Sequence, residues 1–293
     1  MAENMRDLKR RMKSIESTEH ITNAMRLVSA AKFRRAKSVY DQKSQQLAEV
    51  SKTMEDILTL ENIPGLDHEA ESGRSEEAEQ VLAIVISSDR GLCGGFHSNL
   101  IKTAQAALEG SEKQDVRIYC IGSRAKDFFE HAGYEIAGEF DGAPEKITFS
   151  QIETIAAPIL RAYQSGELDK VLLITTSYIN SLRQEPAVKQ LLPLKMQDDA
   201  CEQHKSAPVE MEYGPSPEAV AAYMLPKYFE LTLFKAVMES AVCEHAARRS
   251  AMENATDNAR EILSSLSLTY NRVRQAAITG ELIEIVSGAE TQA

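Results

Sequence analysis

The sequence predicts an α/β protein with a long antiparallel helical coiled coil, formed by its N- and C-terminal helices, and a central α/β domain whose sheet is mostly parallel. Three observations carry that prediction. The 293-residue chain has no Gly or Pro from Met1 to Ile63, and none again from Lys227 to Thr279. Apolar residues in both runs recur at three- and four-residue steps, the mark of a helix with one covered face. Between the runs, short β-branched segments alternate with helical stretches, as in βαβ units.

At about 1.5 Å of rise per residue, each uninterrupted run makes a helix of roughly 80–90 Å, several times the usual length in globular domains. In the first run the stripe reads Met5, Leu8, Met12, Ile15, then Ile21, Met25, Val28, Ala36, Val39, then Leu47, Val50, Met54, Ile57, with a break in phase near Thr18. The closing run offers Phe229, Leu233, Val237, Ala241, then Ala251, Ala255, Ala259, Ile262, Leu266, Val273, Ala277. Ala-rich stripes let backbones approach closely. If the middle of the chain is one domain, both helices leave it from nearby points and pair antiparallel, a stalk on a head.

The middle supplies strands at Val81–Ser87, Val116–Gly122 and Val171–Ser177, each a short apolar run suited to burial on both faces. Helical stretches follow at Ser98–Leu108, Ser123–His131 and Ser150–Tyr163, and Tyr134–Phe140 is a further strand candidate. Alternation of this kind implies a parallel, Rossmann-like sheet with right-handed crossovers. Gln184–Pro217, with five prolines and mixed charge, reads as irregular loop with two edge strands. The expected organisation is therefore a first shaft helix over 1–63, a link over 64–80, the α/β domain over 81–217, a second shaft helix over 218–288 and a tail over 289–293.

Composition excludes several classes. With 43% hydrophobic and 26% charged residues the chain is a folding one, not a disordered one. No apolar run approaches the ~18 residues of a membrane span. Charges of both signs at the N-terminus and the lack of an apolar core there argue against a leader, so a cytoplasmic protein is expected. The four cysteines, Cys93, Cys120, Cys201 and Cys243, are scattered without a metal-ligand spacing, so no metal site is expected. Charge is uneven: residues 1–40 carry ten Lys/Arg against four Asp/Glu, whereas 61–226 carry 14 against 27. A basic helix on an acidic body implies an acidic partner for the helix.

The sharpest local motif runs from Ser87 to Asn99 and contains Asp89, Arg90, Gly91, Leu92, Cys93, Gly94 and Gly95. It leaves a buried strand and enters a helix, the place where α/β proteins put ligands. Its spacing matches neither GxGxxG nor GxxxxGK[ST], so a tight structural turn and an anion cradle both stand as readings. Cys93 beside Arg90 and His97 lacks a base and orienter at recognisable spacing, and nothing in the chain assembles a catalytic constellation. No catalytic residue and no cofactor are expected. The basic cluster Arg6, Lys9, Arg10, Arg11, Lys13, with Lys32, Arg34, Arg35 and Lys37, is a solvated face or a docking face for acidic protein. Nucleic acid is the weaker partner, because no aromatic residues are interleaved and the acidic body repels phosphate.

Taken together, these segments resemble the gamma subunits of F-type ATP synthases. Three regions carry the resemblance: Ile21–Lys32, Asp89–Gly95, and Ala255–Ala259 with Arg274–Thr279 and Glu284–Ala289. The resemblance implies a non-catalytic rotor inside a ring of alpha and beta subunits, resting with an epsilon subunit on a ring of c subunits, and so a peripheral place on the cytoplasmic face of a bacterial cell membrane. Ion flow, of protons or sodium, would turn it. By the same resemblance Arg274, Gln275, Thr279 and Arg248 contact the catch loop of a beta subunit, Met25, Arg34 and Arg35 face the beta lever, and Tyr213 lies near the c ring. Asp89, Arg90, Gly91, Gly94 and Gly95 would form a structural turn. The alternative from the residues alone is a phosphate- or nucleotide-binding α/β regulatory protein with a coiled-coil stalk.

Overall fold

A computed structural model of the chain describes residues 5–58, 80–109, 112–140, 142–193 and 216–290. The elements are α1 (Met5–Leu58), β1 (Val81–Ile86), α2 (Phe96–Leu108), β2 (Val116–Ile121), α3 (Ser123–His131), β3 (Glu135–Phe140), α4 (Phe149–Gln164), β4 (Lys170–Tyr178), β5 (Gln184–Leu192) and α5 (Pro217–Glu290). The chain divides into two compact units: Met1–Ala30 with Arg248–Ala293, and Ala31–Ala247. The expected link over 64–80 falls, except for Gln80, outside the described residues, as do Cys201 and Tyr213.

In the Ala31–Ala247 unit, five strands form one sheet in the order β3-β2-β1-β4-β5. The pairs β1–β2, β1–β4 and β2–β3 are parallel, and β4–β5 is antiparallel. β1 sits at the centre and all six of its residues are buried. Its side chains divide by the two-residue period of a strand. Leu82, Ile84 and Ile86 join Ile152, Ala156 and Ile159 of α4 and Phe229, Leu233 and Val237 of α5. Val81, Ala83 and Val85 join Leu100, Ala104 and Leu108 of α2 and Ala125 and Phe129 of α3. A strand covered on both faces has no polar side to show, which is why its sequence is unbroken apolar. β3 is an edge strand, and its burial alternates between exposed and half-buried residues.

In the region from Gln184, where irregular loop with two edge strands is expected, Gln184–Leu192 makes one nine-residue edge strand, and 194–215 lie outside the described residues. Pro186 and the charged Glu185 and Lys189 fit there because only one side of an edge strand must donate to a ladder. α4 begins with a reciprocal cap: Thr148 accepts from the Gln151 backbone N–H, while the Gln151 side chain takes the Thr148 N–H.

In the Met1–Ala30 and Arg248–Ala293 unit, α1 and α5 run antiparallel, with Thr22 beside Thr256 and Glu19 beside Arg260. The expected phase break near Thr18 does not occur. Leu8, Met12, Ile15, Glu19, Thr22, Arg26 and Ser29 are all buried or half-buried, an unbroken alternation of four and three, with Met5, Asn23, Met25 and Ala30 half-buried beside them. Ile21 and Val28, assigned to the covered stripe by periodicity, are both 58% exposed. Small hydroxyl residues take the seam instead, because the Thr256 hydroxyl lies 2.9 Å from Thr22 Oγ1 and 2.7 Å from the Met252 carbonyl while Thr22 Oγ1 donates to the Glu19 carbonyl at 3.0 Å, satisfying the pair internally. On α5 the seam is Met252, Thr256, Ala259, Leu263, Leu266 and Tyr270, displaced by one residue from the expected Ala251, Ala255 and Ile262. Gly280 does not end the helix, which continues to Glu290. One glycine costs about 1 kcal/mol against alanine, less than a long helix can absorb.

Candidate functional site

The strand-exit motif wires β1 to the next crossover. Ser87 Oγ accepts from the Ala125 N–H at 3.0 Å, Asp89 Oδ1 accepts from the Ser123 N–H at 2.9 Å, and the Ser88 carbonyl accepts from the Arg124 N–H at 3.4 Å. These are the first-turn donors of α3, the groups a helix would offer an anion. Here the chain's own residues take them. The approach is close enough that a Cβ on Gly122, at φ +94°, would lie 2.8 Å from the Ser88 backbone. Leu92 and Gly94 also sit at positive φ, 62° and 59°. The Arg90 carbonyl draws the turn together, with His97 Nε2 at 3.2 Å and Cys93 Sγ at 3.9 Å. Gly95 caps α2, and an added Cβ there would crowd the Asn99 amide at 3.2 Å; one on Gly91 would make ordinary contact with Arg124.

Cys93 is buried with Phe96 and Cys243 rather than presented to a substrate. Burial pushes the Cys120 thiol up to about 12, and burial and Glu239 together push Cys243 higher still, so neither is a nucleophile near neutrality. Among the described residues, one group of possible metal ligands comes together, with atoms of Glu145, Glu244 and His245 within 4.8 Å of one another. Lys32 Nζ already lies 2.6 Å from Glu145 Oε1, so a cation there would displace an ammonium. Burial works against the charged form of Glu145, but the Lys32 hydrogen bond and the nearby His245 outweigh it and hold its carboxyl below the usual range.

The partner-contact residues expected from the sequence divide in two. Arg274, Gln275 and Thr279 are all exposed on α5, with Gln275 and Thr279 one turn apart on one face. Around them Ile278, Leu282, Ile283, Ile285 and Val286 are 46–67% exposed. Arg34 and Arg35 are exposed on α1 and Met25 is half-buried. Arg248, by contrast, is only 6% exposed. Sequence reasoning missed Ile21, Leu27 and Val28 as surface residues; all three are more than half exposed. The signal that finds them is the strict four-three spacing through Glu19, Thr22, Arg26 and Ser29, which leaves them outside the seam. Apolar rows on an outer face, beside a seam filled by hydroxyls, mark a surface built to be covered.

A protein-family model described as ATP synthase matches residues 4–291. The gamma chain of ATP synthase from Alkaliphilus metalliredigens is 40% identical over 292 residues, covering 99% of each chain. The chain belongs to the ATP synthase gamma-chain family. The gamma chain of Heliobacterium modesticaldum is 38% identical over 289 residues, with 97% of this chain and 98% of the relative covered. Among solved structures, the rotor of the Euglena gracilis mitochondrial ATP synthase superposes with a TM-score of 0.63 at 17% identity, covering 94% of this chain and 98% of that one. The central stalk and c-ring structure of the Tetrahymena thermophila mitochondrial enzyme gives 0.58 at 21% identity over 80% of this chain and 99% of that one. At these identities the gamma-chain fold is what is shared. Among the described residues, no helix is long and apolar enough to cross a membrane.

Proposed function

We propose that this gamma-family chain is the non-catalytic rotor of an F-type ATP synthase, coupling ion movement through a membrane sector to ATP synthesis or hydrolysis on an alpha–beta hexamer. The observation that carries the reading is the outward apolar surface of the helix pair. Ile21, Leu27 and Val28 on α1, and Leu268, Ile278, Leu282, Ile283, Ile285 and Val286 on α5, are exposed apolar residues in one unit. A sleeve of partner subunits would cover them. A largely apolar surface makes few bonds that must break at each step, so it can turn, while different faces presented to different neighbours bias their conformations.

In this reading Arg274, Gln275 and Thr279 hold the catch loop of a beta subunit by side-chain hydrogen bonds, and Met25, Arg34 and Arg35 meet its acidic lever through screened contacts weak enough to release. Arg248 serves the same helix from a buried position, orienting it rather than gripping a partner. The turn at Asp89, Arg90, Gly91, Gly94 and Gly95 is structural. An epsilon subunit and a c ring complete the partners, with Tyr213 beside the ring, and the chain sits peripherally on the cytoplasmic face of a bacterial membrane. Against the nucleotide-binding alternative stands the strand-exit loop, where Ser87, Ser88 and Asp89 already take up the first-turn donors of the neighbouring α3.

The test is ATP-driven ion pumping by the assembled complex carrying Arg274→Ala or Gln275→Ala. Pumping is expected to fall in both, with the thermal unfolding of the isolated chain unchanged, because both side chains are exposed. Normal pumping in both variants would remove the catch-loop assignment.

A further inference from the structure

In a parallel α/β sheet, the crevice where successive crossovers leave in opposite directions is the usual ligand site. Here that point lies between β1 and β4. β1 leads by α2 to β2 on one side, and β3 leads by α4 back to β4 on the other. The parallel register of the two central strands ends at Val85 beside Ile174. Beyond it, β1 turns toward β2, where the Ser87 N–H donates to the Ile121 carbonyl at 2.8 Å. β4 continues to Tyr178. Backbone groups two residues apart on a strand point to the same side. Thr176 and Tyr178 therefore share one edge of β4.

Helix α5 supplies what the departing strand does not. Glu239 Oε1 accepts from the Tyr178 N–H at 2.9 Å, and Cys243 Sγ donates to the Thr176 carbonyl at 3.3 Å, one turn further along the same helix face. Ser240 Oγ donates to the Ile86 carbonyl, the last of β1, at 3.3 Å. Glu239 is 6% exposed, Ser240 1% and Cys243 0%. They lie within Ala236–Ala246, eleven consecutive buried residues on α5. A helix buried on every side is normally apolar all round. Polar residues placed in such a helix and aimed at strand ends are costly unless they do a specific job.

We propose that Glu239, with Ser240 and Cys243, is a latch that fixes α5 to the carboxyl ends of β1 and β4 and thereby keeps the helix from slipping over the sheet when torque passes between them. Glu239 is a positioning residue, its carboxylate standing in for the strand partner that Tyr178 lacks on its β1 side, opposite Gln184 of β5. The same placement fills the switch-point crevice with the chain's own helix. The inference rests on the rotor reading and adds to it the residues that join helix to sheet.

Two variants test it. Glu239→Ala removes the acceptor, and Glu239→Gln keeps an oxygen in its place. In the isolated full-length chain, the Tyr178 amide is expected to exchange its hydrogen at least about tenfold faster in the alanine variant, while amides of β2 and β3 keep their rates. In the assembled complex the alanine variant is expected to lose ions pumped per ATP hydrolysed, and the glutamine variant to regain most of that ratio. A latch that merely stabilised the fold would leave the ratio untouched. Unchanged Tyr178 exchange, or a normal pumping ratio in Glu239→Ala, overturns the proposal. If Glu239→Ala speeds exchange throughout the sheet, Ser240→Ala replaces it, and a normal ratio there overturns the proposal equally. Failure of the wild-type chain to assemble or pump would count against the rotor reading instead, since the exchange measurement needs no partner.

Discussion

One helix, α5, meets two different environments. Within the Ala31–Ala247 unit, Ala236–Ala246 is buried on all sides by the sheet and its neighbouring helices. Within the other unit, one face is buried, at Arg248, Met252, Thr256 and Ala259, and half-buried further on at Leu263, Leu266 and Tyr270, while the outer face carries exposed side chains, many of them apolar. The difference teaches that apolar content alone does not locate the core. In the first region it is satisfied inside the chain. In the second the chain satisfies its seam with small and hydroxyl residues and keeps larger apolar groups for a surface outside itself.

The comparison is broken most directly by truncating one side chain in each region. Phe229→Ala, at 2% exposure in the sheet-covered region, is expected to cost about 3–5 kcal/mol in chemical denaturation. Gly94→Val comes next: a β-branched residue at φ +59° in the strand-exit turn should lose about 2 kcal/mol, read as a fall in melting temperature. An unaltered melting temperature would show that the turn tolerates it.

Thr256→Val sharpens the view of the seam. It removes the hydroxyl that bonds with Thr22 and the Met252 carbonyl, and should destabilise the helix pair by about 1 kcal/mol in the same assay. Smaller still is the acid effect at Glu145. Its carboxyl is held below the ordinary value in the folded chain, so its contribution is fully present above the unfolded carboxylate pKa and is lost as pH falls through the folded one. Stability measured across that acid range should drop less steeply in Lys32→Met, which lacks the ammonium at 2.6 Å. Equal slopes would mean the pair contributes nothing. Last, Ile21→Ala and Ile283→Ala, at 58% and 60% exposure, should change stability by no more than about 0.5 kcal/mol. A large loss in either would mean that these residues belong to an internal core after all.

The same contrast decides what the sequence could tell. The central strands were readable because β1 is buried on both faces and must be apolar throughout, and α3 falls where expected, at Ser123–His131. The helix pair was readable as helices but not as a seam. Periodicity follows apolar residues wherever they point, and Ile21 and Val28 point outward. An edge strand was expected within Gln184–Pro217, but the bounds of β5 were not readable because an edge strand tolerates Pro186 and charge. At the candidate site, Arg274, Gln275 and Thr279 could be chosen only by resemblance. The latch at Glu239 was not visible at all, because nothing near it in sequence reveals that it folds back onto Tyr178, sixty-one residues earlier in the chain.

The central claim is that the outward apolar face of the helix pair is built to be enclosed by other subunits. The most direct measurement mixes the full-length chain with alpha and beta subunits and Mg-ATP, and follows stoichiometry and ATP hydrolysis by size-exclusion chromatography. One copy eluting with each hexamer, with hydrolysis depending on it and co-elution weakened by Ile21→Asp and Ile283→Asp, is the predicted result. A chain that elutes alone, or that joins the hexamer equally well with both charges in place, would contradict the account.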